Sequence, residues 1–176
     1  MIDLSQHLYG ALDRSIDVLR AGLASTLATL SGEGVDVALP TVATDGANIV
    51  AGDERYTGNA PAWVEIQVDS DATVLGLAGS EARQRHVLRA RCHIRQTQRR
   101  TTGAVAGTVE TAGKLTVALW AHAVVQTLIR DLPGAGGIYN ARPAGYRQLP
   151  RLGAGVHSIE VQVEIYQKTA NLFQTT

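Results

Sequence analysis

The sequence predicts an α+β fold: an antiparallel sheet with one polar face, and helices packed on the other. Three observations predict it. Residues 3–31 and 104–131 carry apolar side chains at steps of three and four, the period of an amphipathic helix. Residues 62–69, 85–98 and 157–167 alternate apolar and polar, the period of a strand with one buried face. The resulting order is helix, linker, strand, strand, helix, loop, strand. At 176 residues and 45% hydrophobic content, the chain fits one domain, 1–176, with a substantial core. Aromatics make up only 5%, so aliphatic residues and alanine must fill most of that core.

The long N-terminal helix, 1–34 with its flanks, is set by Leu8, Leu12, Ile16, Leu19, Leu23, Leu27 and Leu30. Asp3 is a candidate cap, and Ser31-Gly32-Glu33-Gly34 ends it. Residues 35–61 read as an extended arm or loop with room for a short strand at 35–39. Pro40, Gly46, Gly52, Gly58 and Pro61 break it, and Asp53, Glu54 and Arg55 make it polar. Loops of this length inside a compact domain are usually functional or ordered by a partner.

The first clear strand, AWVEIQVD (62–69), puts Val64, Ile66 and Val68 on one face. Trp63, Glu65, Gln67 and Asp69 take the other. A connector through Gly76 and Gly79 leads to an arginine-rich strand, a natural antiparallel neighbour. The second long helix follows, with Leu115, Leu119, Ala123 and Gln126 along one side. Val117, Ala121, Val124, Val125, Leu128 and Leu132 form its broad apolar face. Pro133-Gly134 ends it. Residues 133–155 read as a glycine- and proline-rich loop with room for a short strand. The last strand, HSIEVQVEIYQ (157–167), has Ile159, Val161, Val163 and Ile165 facing the core. The tail, 168–176, is short, and contact with something else would order it.

The arginine-rich segment is the chain's most distinctive feature. Residues 83–100, RQRHVLRARCHIRQTQRR, hold seven of the fourteen arginines and no acidic residue. Leu88, Ala90, Cys92 and Ile94 point one way, and Arg89, Arg91, His93 and Arg95 the other. Formal net charge is nevertheless zero, whereas dedicated nucleic-acid binders carry a basic surplus. The other two strands supply the balance: Glu65 and Asp69 on one, Glu160 and Glu164 on the other. Cross-strand pairs of opposite charge contribute roughly 0.2–1 kcal/mol each, and exposed pairs about 0–1 kcal/mol. Three laddered strands are excessive for stability alone. They fit a sheet face that meets another subunit, where desolvated pairs give register and specificity. Arg89, Arg91, Arg95, Glu65, Asp69, Glu160 and Glu164 are therefore candidate subunit-interface or lumen charges. The rival reading is a nucleic-acid-binding module using strand 85–98. That strand lacks the aromatic platform of single-strand binders.

Other chemistry has little support. His7, His86, His93, His122 and His157 stand at no metal-ligand spacing, and neither C-x-x-C nor H-x-x-x-H occurs. On its apolar helix, His122 reads as a core or interface histidine. PGAGGIYN (133–140) follows a helix and lacks the Lys-Ser/Thr of a phosphate loop. No G-x-S-x-G elbow is present, and Glu160 and Glu164 read as a solvated or ion-paired face. Neither cofactor nor metal is expected. Cys92 reads as a buried, inert thiol and excludes an intrachain disulfide. Residues 115–129 are too short and too polar to span a bilayer. Fourteen arginines against two lysines reflect either a GC-rich genome or the suitability of arginine for bidentate pairs.

The layout over roughly residues 60–167 resembles the tail-terminator and tail-completion proteins of tailed bacteriophages. The resemblance rests on the P-x-x-V-x-I strand (Pro61, Val64, Ile66), the polar strand ending in HIR, and the VALWAHAVVQTLI helix. The Gly/Pro loop and the closing HSIEVQVEI strand complete it. It implies a non-enzymatic virion protein that assembles as a ring, a hexamer in that family. The ring joins the tail tube to the head connector, and the genome passes through its lumen without sequence-specific binding. The implied location is the virion neck, with assembly in the host cytoplasm. The long first helix and the 35–61 segment depart from the family pattern. They leave open a head–tail connector or another neck or baseplate role.

Overall fold

The structure, a computed structural model, describes residues 8–33, 39–52, 56–69, 73–78, 81–95, 109–135, 137–150, 152–153 and 155–170. Helix α1 spans Leu8–Gly32 and α2 spans Val109–Asp131. Strands β1 (Ile49–Ala51), β2 (Ala62–Val68), β3 (Thr73–Ala78), β4 (Glu81–Arg95), β5 (Ile138–Gln148) and β6 (Val156–Ala170) form one sheet. Its order is β1-β2-β4-β6-β5, with β3 pairing the near half of β4. The α+β class stands, and both helices pack on one face of the sheet.

The alternating patterns of β2, β4 and β6 form the central sheet. Val64 lies opposite Cys92, and Cys92 opposite Ile159. A one-residue slip would turn every apolar side chain outward, so this pattern fixes the register. Leu88, Ala90, Cys92, Val64, Ile66, Val163 and Ile165 are solvent-free under the helices. The α1 stripe meets them through Ile16, Leu19, Leu23 and Leu27, and α2 through Val117, Trp120, Val124 and Leu128. The indole N–H of Trp120 reaches the Trp63 carbonyl at 3.4 Å, satisfying a polar atom that burial would otherwise orphan.

The two helices touch closely. A side chain at Gly22 would run into Asp131 and come within 3.0 Å of Thr127. One turn on, the Thr26 and Thr127 hydroxyls bond at 2.8 Å. Both hydroxyls also bond back within their helices, to Gly22 O and Ala123 O.

Several expectations need correction. The sheet is not wholly antiparallel, because β1 runs parallel to β2. Apart from β1, the described parts of 35–61 are loop, held against the domain. Ile49 is fully buried, and Asn48 holds the segment to the domain through Ala43 N, Thr41 O and Ala62 O. The connector before the arginine strand is itself a strand, β3. Gly76 and a bulge between Val74 and Gly76 break its period. The 133–155 loop contains the eleven-residue β5, hidden in the sequence by Pro143, Gly145 and two register shifts. Strand β6 takes in 168–170, so part of the tail is paired with β4. On α2 the Leu115, His122 and Gln126 side is exposed, and Trp120 and Thr127 face inward. Asp3, the proposed strand at 35–39 up to residue 38, residues 53–55, 96–100 and 104–108 lie outside the described residues.

Candidate functional site

The face of the sheet turned away from the helices is a lattice of opposite charges. Register builds it. Across β2, β4, β6 and β5, Glu65 stands opposite Arg91, Arg91 opposite Glu160, and Glu160 opposite Arg147. One row therefore reads minus, plus, minus, plus. Glu160 is its centre. Its side chain has no solvent exposure, and it accepts from Arg91 Nε at 3.2 Å and Arg147 Nη2 at 3.3 Å. Arg89 approaches to 4.0 Å. Burial alone would raise its carboxyl, but hydrogen bonds from Arg91, Arg147 and Gln162 outweigh that and hold it below the ordinary carboxylate range.

A second cluster surrounds Glu164. Arg142 bonds it at 2.7 Å, Arg85 at 3.4 Å and the Tyr166 hydroxyl at 2.8 Å. Hydrogen bonds from Arg142 and then Tyr166 lower its carboxyl. Asp69, just past β2, takes Arg89 at 2.8 Å. Of the predicted ladder, Arg89 and Arg91 thus face carboxylates of their own chain. Arg95 lies over the Trp63 ring, 5.7 Å from its centre.

Glu65 does not bond the Arg91 it opposes. It accepts from the Trp63 indole at 3.3 Å and stands 3.6 Å from His93 Nε2. Trp63 is itself stacked between Tyr56 (5.4 Å) and His93 (4.8 Å). His93 Nδ1 bonds Ser158 Oγ at 2.8 Å. Burial lowers the His93 pKa, Glu65 raises it and Arg91 lowers it, with a net downward shift. A serine, a histidine and a glutamate in line suggest nucleophilic catalysis. Yet His93 and Ser158 are 1% and 3% exposed, and Trp63 seals the ring. No substrate can approach the hydroxyl, so this is a buried polar network.

Sequence reasoning missed Arg142 and Arg147. They are five residues apart, an odd spacing that puts side chains on opposite faces of a regular strand. The bulge between Pro143 and Gly145 sets five residues of β5 against four of β6, so Arg142 faces Glu164 and Arg147 faces Glu160. His86 and His93 fall on opposite faces, as the alternation requires. His86 is buried on the helix side, and burial lowers its pKa. Cys92 is buried as expected, with its thiol pushed up. Among the described residues no cluster of three or more His, Cys, Asp or Glu could hold a metal ion.

No protein-family model and no curated protein matches the sequence. A chain in the solved virion of a native gene transfer agent particle has a similar fold, with a TM-score of 0.55. The correspondence covers 92% of this chain and 97% of that one, at 15% identity. At that identity the likeness is one of fold, and it covers most of both chains.

Proposed function

We propose that the chain is a non-enzymatic structural subunit of a phage-like virion, forming a ring at the head-proximal end of the tail between tail tube and head connector. The observation that carries the reading is the fold correspondence, over most of both chains, with a gene-transfer-agent virion chain. It agrees with the tail-terminator resemblance of residues 60–167. On this reading the subunits close head to tail as a hexamer, and the genome passes through the lumen without base contacts. Arg89, Arg91, Arg95, Glu65, Asp69, Glu160 and Glu164 belong to a face lying against a neighbouring subunit or lining the lumen. Arginines largely engaged by carboxylates of their own chain suit DNA passage, because free guanidinium groups would hold the phosphates.

Electron microscopy of the purified protein, alone and with isolated tail tubes, tests the reading. The expected result is a closed ring, free or capping one end of the tube. A chain that stays monomeric and never joins tubes sinks the idea. Capping the head connector but not the tube would move the role to a neck connector. The nucleic-acid-module reading fares worse, because Arg89 and Arg91 are already engaged by carboxylates. It requires salt-dependent DNA binding that the Arg89, Arg91 and Arg95 to Ala variant loses.

A further inference from the structure

We infer that strand β3 of one subunit docks into an apolar groove beside α2 of the next, a head-to-tail contact that deepens the ring reading and rests on it. The groove exists because two helices cover only part of the sheet. Helix α1 packs on β1 and β2, and α2 on β4 and β6, while most of β5 stays exposed. Between the outer side of α2 and the β5 bulge lies a groove of about 430 Å³, lined by Ala118, Val125, Pro143, Tyr146, Ile159 and Val161 among others. No Asp, Glu, Lys or Arg lines it. Tyr146 at its rim is 83% exposed. A largely apolar groove, with His122 in its wall, on a chain so rich in paired charges calls for an apolar occupant.

The chain carries one such segment. Strand β3, TVLGLA, has no charged residue, pairs only with β4 among the described strands, and leaves Leu75 49% exposed. Exposed edges are normally blunted by charge, proline or bulges. On the β5 edge all three occur: Arg142, Arg147, Pro143 and two register shifts. Strand β1 is only three residues long. Strand β3 has a single bulge and neither charge nor proline, as expected of an edge that is covered after assembly.

The two surfaces cannot meet within one chain. Through Arg83, Gly76 is level with Lys168 on β6, whereas the groove is level with Val161. Seven residues of strand separate them, roughly 23 Å, and they lie on opposite edges of the sheet. A knob and a groove at different places make a heterologous contact, which closes into a ring or runs on as a filament.

Cysteine cross-linking tests the contact. Cys92 is fully buried and stays silent, and Leu75 and Ala118 are both exposed, so Leu75→Cys and Ala118→Cys should not disturb folding. After mild oxidation, a mixture of the two variants is expected to give a covalent heterodimer, and neither variant alone a dimer. The double variant should give a ladder of covalent oligomers ending at the ring. Dimers of Leu75→Cys alone would mean that β3 pairs with β3, and would overturn the proposal. So would a mixture that forms no disulfide. Light scattering on the wild type separates the two failures. An oligomer without the disulfide leaves the ring standing on another contact, whereas a monomer on tail tubes as well removes both.

Discussion

On the helix-covered face of the sheet, Leu88, Val163 and Ile165 are sealed by Leu19, Leu23, Trp120 and Leu128, all solvent-free. On the opposite face neither described helix lies over the strands. There Glu160 is sealed just as completely, but by guanidinium groups from β4 and β5 that are 38% and 57% exposed. The first face is closed by shape and the second by charge. Apolar packing depends on volume and is neither titrated by pH nor screened as charges are. Charge closure is graded, because each carboxylate is worth what its desolvation leaves after its partners are counted. Glu160 lies at the buried end of that gradient and Glu164, 17% exposed, nearer the solvent end. A face closed by its own charges can meet a neighbour without presenting a sticky surface before assembly.

The largest effect is expected on the helix face. Trp120→Ala removes a fully buried indole and its bond to the Trp63 carbonyl. The expected loss is about 3–5 kcal/mol, read from urea unfolding. It should be unchanged between low and high salt. A marked salt dependence would mean that the two faces do not divide as described.

Glu160→Gln is expected to cost less, about 2 kcal/mol, the scale of hydrogen bonds to a charged group. The amide keeps the volume, and Arg91 and Arg147 are exposed enough to recover water. Acid gives the second reading. The folded Glu160 carboxyl is held below its ordinary range, so the folded state binds that proton less readily than the unfolded chain. Its contribution is complete above the unfolded value of about 4.3 and is lost as pH falls through the lower folded value. The variant should show a shallower acid limb. His86 and His93, both shifted down, act earlier. Their contribution begins to fade as pH drops below about 6.5, in wild type and variant alike. An acid limb that Glu160→Gln leaves unchanged would remove Glu160 from the centre of the lattice.

How much of this was legible in the sequence divides along the same line. Period-two alternation in β2, β4 and β6 and the leucine stripe of α1 are local signals, and they placed the core face and the polarity of the other. The charge balance around Arg89, Arg91, Glu160 and Asp69 followed from counting faces. What stayed hidden needed a partner strand. The β5 arginines come into line only through a bulge, β1 is too short to show a period, and Gly76 interrupts β3. On α2 the inward positions of Trp120 and Thr127 lay outside the apolar face that the sequence marked. The Trp63–His93 stack depends on register between β2 and β4, which no single-strand pattern contains.

The smallest effect concerns Glu164→Gln, and it is the most informative about assembly. In the free subunit its partners Arg142 and Arg85 are 58% and 37% exposed, so the substitution should cost about 0–1 kcal/mol. That cost should vanish at 1 M salt, where the screening length falls to about 3 Å. A cost equal to that of Glu160→Gln would abolish the gradient between the two carboxylates. If the charged face lies against a neighbouring subunit, assembly desolvates Arg142 and Arg85, and the same substitution becomes a defect of the ring. The dissociation midpoint of the assembled ring should then fall for Glu164→Gln even in high salt, while the unfolding of the isolated subunit hardly changes. If the face lines an open lumen, water and counterions stay in place, and both measurements should show the same small, salt-sensitive effect. Measuring one variant in both states therefore separates an interface from a channel wall.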